Sequence, residues 1–282
     1  MQQLLKIKQN VEFNNRLYSI LETLKSIAVM QFRALEQKLK VYGSFGEKLD
    51  DFFRTIDLGR VRHPFVSGEA GGPVGVVAVT SDQGLLGGLN MRIVAGAANM
   101  VQASGGTLII VGEQGKIYAR NFRMPFVAYP GIKDEVRYAQ ALEVRNYLFE
   151  QLGEKRFSSI RIVYARALSL VNQQIESDVL LPLTRAQTEE KPTLDMSEFL
   201  YESSLSGILE YLAYVWVGKR IGDIFGFSRL AEMAARYMHL EESNQKILAL
   251  NKKLKQQYFK CRHEMLDQNM RELFAARMLY AE

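Results

Sequence analysis

The densest group of residues able to do chemistry is Thr80-Ser81-Asp82-Gln83-Gly84-Leu85-Leu86-Gly87-Gly88-Leu89-Asn90. It follows an apolar run of strand length, Val74 to Thr80, and opens a helical pattern, Leu89 to Ala103. A glycine-rich turn at such a place can present backbone N–H groups to a phosphate at a helix N-terminus. The spacing matches neither the dinucleotide fingerprint nor the phosphate loop, and no Lys-Ser or Lys-Thr pair follows. Gly84, Gly87 and Gly88 equally suit a tight strand-to-helix turn that needs positive φ. Ser81, Asp82 and Asn90 have the types of a catalytic cluster, but a nucleophile–base pair would need His63, His239 or His263 brought in by the fold. Asp82 is expected to cap the turn.

Little else offers chemistry. The single cysteine, Cys261, excludes an internal disulfide and a multi-cysteine metal site and fits a reducing compartment. No metal and no cofactor is expected. Lys252, Lys253, Lys255, Lys260 and Arg262 form a basic stretch without acidic residues. It reads either as a solvated helix face or as a contact for an acidic partner. The net charge of +5 is concentrated in residues 1–63, with eleven Lys/Arg against seven Asp/Glu, while residues 193–282 carry twelve of each. No block has the basic surface interleaved with aromatics that a nucleic-acid reader needs, so no nucleic-acid partner is expected. At 282 residues, 48% apolar and 24% charged, the chain suits a folded soluble protein. The longest apolar stretch, Leu209 to Val217, carries Glu210 and is too short to span a bilayer. Met1 to Asn10 lacks the apolar core of a signal peptide.

Proline divides the elements that must position these residues. All six prolines and fourteen of the 21 glycines lie between residues 64 and 192. The two ends are therefore free to be long helices. Leu17, Leu21, Leu24, Ala28, Phe32, Leu35, Leu39 and Tyr42 fall at near-heptad steps, with Lys25, Gln31, Arg33, Glu36 and Lys38 expected on the polar flank. Gly43 and Gly46 are expected to interrupt or end this helix, and Asp50 to Ile56 to add a further turn or two. Asp195 and Glu198 resemble a capping box opening the C-terminal helix. Ile247, Leu250, Leu254, Tyr258, Cys261 and Met265 form a second seam of equal width. Gly218, Gly222 and Gly226 share one face and predict close packing or a bend. Two narrow seams at opposite ends suggest an antiparallel coiled coil. Between them, strands at Val74–Thr80, Thr107–Val111, Phe126–Tyr129, Ser159–Ala165 and Val179–Leu183 alternate with helices at Leu89–Ala103 and Asp134–Leu152. That predicts a small Rossmann-like α/β domain. The expected division is 1–63 for the first coil helix, 64–192 for the α/β domain and 193–282 for the second coil helix.

Architecture and motifs together resemble the gamma subunit of F-type rotary ATP synthase, over the whole chain. Thr80 to Asn90 is similar to the family's T-S-D-R-G-L-C-G-x-[LF]-N, with Gln83 for the arginine and Leu86 for the cysteine. Leu180-Leu181-Pro182-Leu183 is similar to its L-L-P-L. Glu232, Ala235 and Arg236 keep part of S-E-x-x-A-R-M, and Tyr258, Lys260 and Arg262 part of Y-N-K-x-R-Q. Ala231, Phe259, His263, Leu266-Asp267 and Asn269-Met270 depart from that pattern. The resemblance implies a non-catalytic rotor shaft inside a ring of alpha and beta subunits. It implies a foot on the membrane c-ring and an epsilon-type subunit, in a proton- or sodium-coupled complex. For a bacterial source it implies the cytoplasmic face of the inner membrane. The family's grip on a catalytic-subunit loop falls, by aligned position, on Arg262, His263, Asp267 and Asn269. Lys252, Lys253 and Lys255 are candidates for acidic loops of the ring. The departures suit a divergent gamma, of an alternative or cation-specific rotary ATPase. Two other readings stand beside this one: an α/β enzyme binding a phosphorylated ligand at Gly84–Asn90, and a coiled-coil scaffold unrelated to rotation.

Overall fold

A computed structural model describes residues 2–41, 65, 72–183 and 205–279. Helix α1 runs Gln2–Val41. Strand β1 (Val74–Val79), helix α2 (Leu89–Ser104), β2 (Thr107–Val111), α3 (Glu113–Asn121), β3 (Phe126–Tyr129), α4 (Arg137–Gly153), β4 (Ser159–Ala167) and β5 (Gln173–Leu181) follow. Helix α5, Leu205–Leu279, closes the sequence. Tyr42, Gly43, Gly46, Asp50 to Ile56, His63, Asp195 and Glu198 lie outside the described residues.

By internal packing the chain forms two units, one of Met1–Ala28 with Tyr237–Glu282 and one of Val29–Arg236. The second holds a five-stranded sheet in the order β3-β2-β1-β4-β5. β1, β2, β3 and β4 pair in parallel, and β5 runs antiparallel to β4. Parallel strands covered on both faces need apolar residues at nearly every position, and β1 supplies them as Val76, Val77, Ala78 and Val79, all fully buried. Val77 and Val79 face a core shared with Ala141, Val144 and Leu148 of α4 and Val217, Ile221 and Phe225 of α5. Val76 and Ala78 face Ile93, Val94 and Ala97 of α2, together with Ala231 and Ala235 of α5.

The three spaced glycines of α5 serve close packing, and the helix runs through them without a break. A β-carbon at Gly222 would lie 2.5 Å from the Tyr138 ring, and one at Gly218 3.0 Å from Leu142. α4 therefore rests directly on the α5 backbone, which outweighs the poor helix propensity of glycine. In the same unit Phe32 and Leu35 of α1 pack on Leu230, Met233 and Ala234 of α5.

Two elements differ from the sequence reading. β5 begins at Gln173, six residues before the expected Val179, because polar Gln173, Gln174, Glu176 and Ser177 pair along β4 on the outer edge of the sheet. α3 was not expected. It is short and polar and buries only Gly115 and Ala119, so it carries little apolar periodicity.

In the first unit α1 and α5 run antiparallel, as the pairing of Asn14 with Asn251 and of Lys25 with Glu241 requires. Their seam is shifted by one residue from the expected one at three places, the first with Tyr18 for Leu17. Leu24 and Leu250 are exposed, and Lys25 and Asn251 take their places at the interface. The observed stripe, Ile7, Val11, Asn14, Tyr18, Leu21, Lys25 and Ala28, steps strictly by four and three. Heptad geometry overrides the greater hydrophobicity of the neighbouring leucines.

Candidate functional site

The loop between β1 and α2 is held by its own polar residues. The Ser81 N–H donates to Asn90 Oδ1 at 3.2 Å, and Asn90 Nδ2 donates to Ser81 Oγ at 2.9 Å. Ser81 Oγ donates to the Gln83 carbonyl at 2.8 Å. Ser81 and Asn90 are buried, so these bonds satisfy groups that would otherwise be costly. Asp82 does not cap its own turn. Its Oδ1 accepts from the Glu113 N–H at 3.0 Å, the first residue of α3, 31 positions away. A carboxylate at the N-terminus of α3 satisfies an orphan donor and suits the helix dipole. Thr80 Oγ1 donates to the Val111 carbonyl at 2.6 Å. The loop thus ties the carboxyl ends of β1 and β2 together.

The expected role of the glycines needs correction. Of the three, only Gly87 has positive φ, at 59°, while Leu85 adopts 63°. Gly84 and Gly88 have open space where a β-carbon would stand. Crowding falls instead on Gly131, where a β-carbon would stand 2.0 Å from Asp82 Oδ1. It also falls on Gly112, at φ 104°, where one would stand 2.6 Å from the Thr80 carbonyl.

A cleft of about 110 Å³ opens beside this loop, lined by Ser81, Asp82, Asn90, Ser228, Arg229 and Glu232 among others. It sits at the carboxyl ends of parallel strands, where open α/β sheets bind ligands. Its volume is well under the ~300–1,000 Å³ of small-molecule sites. Its floor carries Glu232, 3% exposed, which accepts from Arg236 Nη2 at 2.8 Å and from Arg229. Arg229 Nε also reaches Asp134 Oδ1 at 3.4 Å. Burial opposes the Arg229 charge, but the Glu232 and Asp134 carboxylates outweigh it and raise the guanidinium above its ordinary value. Both arginines are thus turned onto carboxylates. With Asp82 at the rim and Glu232 inside, the cleft disfavours a phosphate. Among the described residues no group of His, Cys, Asp or Glu could hold a metal ion.

This cleft joins two stretches that the sequence presents far apart, the 80–90 loop and the Glu232/Arg236 motif. Sequence reasoning missed Arg229 and Asp134. Arg229 was legible, since it stands three residues before Glu232 on the same helix face. Asp134 was not, because only the fold carries the β3–α4 connection to α5.

The remaining expected contact residues all lie on α5 in the first unit. Lys252, Lys253, Lys255, Arg262, His263, Asp267 and Asn269 are exposed there. The pairing of Asn14 with Asn251 and of Lys25 with Glu241 puts the start of α1 level with about residue 263. Residues 266–277 therefore extend past it, every one exposed. Cys261 is half-buried in the seam. His239 and His263 lie in the first unit and the cleft in the second. Among the described residues no helix is long and apolar enough to cross a membrane.

A family model described as ATP synthase matches residues 3–277. The ATP synthase gamma chain of Chlorobium phaeobacteroides (strain BS1) is 26% identical over 260 residues, 88% of this chain and 85% of that one. The ATP synthase gamma chain of Clostridium beijerinckii is 23% identical over 283 residues, 96% of this chain and 95% of that one. Among solved structures, a chain of the Euglena gracilis mitochondrial ATP synthase OSCP/F1/c-ring assembly in rotational state 3 shares the fold. It has a TM-score of 0.70 at 16% identity, over 98% of this chain and 94% of that one. A chain of the Tetrahymena thermophila mitochondrial ATP synthase central stalk and c-ring gives 0.60 at 19% identity, over 79% and 99%.

Proposed function

The chain belongs to the gamma-chain family of ATP synthase, whose members are non-catalytic rotor subunits of the central stalk. From that premise we propose that it carries torque between a membrane c-ring and a catalytic ring of alpha and beta subunits, in a proton- or sodium-coupled complex. The antiparallel α1–α5 pair is the shaft. Its exterior is mixed, with charged residues beside exposed apolar ones such as Phe13, Leu24, Leu250 and Phe259. Each rotational position offers a different face to each catalytic site and so shifts that site between conformations. The α/β unit is the foot, resting on the c-ring and an epsilon-type subunit at the cytoplasmic face of the membrane in a bacterial source.

The observation that carries this reading most directly is the end of α5. A helix continuing past its coil partner, exposed at every position from 266 to 277, is built to be enclosed by another surface. Arg262, His263, Asp267 and Asn269 are its contact residues in this proposal, with Lys252, Lys253 and Lys255 meeting acidic loops of the ring. Asp82, Gly84, Gly87, Gly88 and Asn90 serve as a structural loop that ties the foot together. The enzyme alternative is disfavoured by a small cleft whose one lining arginine among the described residues, Arg229, is already paired with carboxylates.

Co-expression with the alpha- and beta-type subunits of the same source tests the reading. One copy is expected in a stable ATPase complex, and Arg262→Glu is expected to lower that activity while the chain stays folded. A folded chain that remains outside the complex and binds nucleotide alone overturns it.

A further inference from the structure

The seam of the first unit is unusual in what it buries. Asn14, Asn244 and Asn251 are 8%, 2% and 6% exposed, while Ile7, Val11, Leu21, Leu254 and Tyr258 are only half-buried. The polar residues form two layers of different composition. In one, Asn14 Nδ2 donates to Asn251 Oδ1 at 3.0 Å, and Asn251 Nδ2 donates to Asn15 Oδ1 at 2.9 Å. In the other, Lys25 Nζ donates to Glu22 at 2.6 Å and to Glu241 at 2.8 Å, and Asn244 Nδ2 donates to Glu22 at 2.6 Å. Asn244 Oδ1 is buried without a hydrogen-bond partner. Leu24 and Leu250, each beside one of these polar residues, are left outside.

We propose that this helix pair is a separable zipper, whose polar layers dictate which residues meet while leaving the segment free to open without unfolding of the second unit. When the pair opens, water takes over the hydrogen bonds between the helices, and the orphaned Asn244 carbonyl gains a partner it lacks when closed. The apolar surface newly exposed is confined mainly to Ala28, Leu240 and Ile247, because the other apolar seam residues are already half-solvated. Closing is nonetheless specific. A shift by one heptad would set Asn251 against Ile7 or Leu21 and part Lys25 from Glu241. Because the layers differ, no shifted alignment satisfies both.

Amide hydrogen exchange on the full chain, followed by mass spectrometry, tests this. Residues 7–25 and 240–258 are expected to exchange at least tenfold faster than residues 221–236, which lie in the sheet-bearing unit. The double variant Asn14→Leu/Asn251→Leu is expected to slow exchange in 7–25 and 240–258 at least tenfold, with 221–236 unchanged. Lys25→Met/Glu241→Leu is expected to do the same for the charged layer. Equal protection of the two regions in the unaltered chain overturns the proposal. So does unchanged or faster exchange in both double variants, which would make the polar layers a net clamp.

Discussion

The same two helices are joined in two different ways along their length. In the second unit Phe32 and Leu35 of α1 meet Leu230, Met233 and Ala234 of α5 in an apolar contact. In the first unit the corresponding stripe is interrupted by Asn14, Lys25, Asn244 and Asn251. An apolar contact is strong and tolerant of small shifts, since burial is non-directional. A buried amide or ion pair is weaker net but demands one partner. One stretch is built for strength and the other for alignment.

The largest expected effect is on the apolar stretch. Phe32→Ala removes an aromatic side chain that is 8% exposed and should cost about 3 kcal/mol in denaturant unfolding. A cost below about 1 kcal/mol would mean that the two stretches do not differ as described. Next comes the loop beneath the cleft. Asp82→Ala removes the cap of α3 and should cost about 1 kcal/mol, with faster amide exchange confined to residues 113–121. If the loss is spread over α2 instead, Asp82 acts on its own turn after all.

The smallest expected effect is the pH dependence of the charged layer. Hydrogen bonds from Lys25 and Gln245 hold the Glu241 carboxyl below the usual carboxylate range, and the Glu22 and Glu241 carboxylates hold Lys25 above the usual lysine value. The contribution of a lowered carboxyl is complete above its unfolded value and is lost as pH falls through the folded one. That of a raised lysine is complete below its unfolded value and is lost as pH rises through the folded one. Stability from this layer is therefore flat near neutrality and declines at both extremes. Its size is under about 1 kcal/mol, because both groups keep contact with water. The stability gap between the chain and Lys25→Met, compared at pH 7 and pH 3, should narrow in acid.

Much of this was legible in the sequence. The distribution of proline marked two helical ends and a turn-rich middle, and β1, β2 and β3 fall where their apolar runs stand. The seams were legible as heptads but not in phase. Leu24 and Leu250 are the more hydrophobic choice for the seam, but the strict four-three step through Lys25 and Asn251 is what the helices obey. α3 and the first half of β5 were not legible, since both are polar on the exposed side and depend on neighbours distant in sequence. For the cleft, the loop and Glu232 were each visible singly. Their meeting, and the use of Asp82 to cap a helix 31 residues on, belong to the fold.

The central claim is that this chain turns as one shaft within a catalytic ring. A complex with the alpha- and beta-type subunits, carrying Cys261→Ala and a probe on Gln102→Cys at the exposed face of α2, allows single complexes to be watched during ATP hydrolysis. The account predicts stepwise rotation of the probe in one direction, stopped when ATP is withdrawn. A probe that stays still while the same complexes hydrolyse ATP would contradict it.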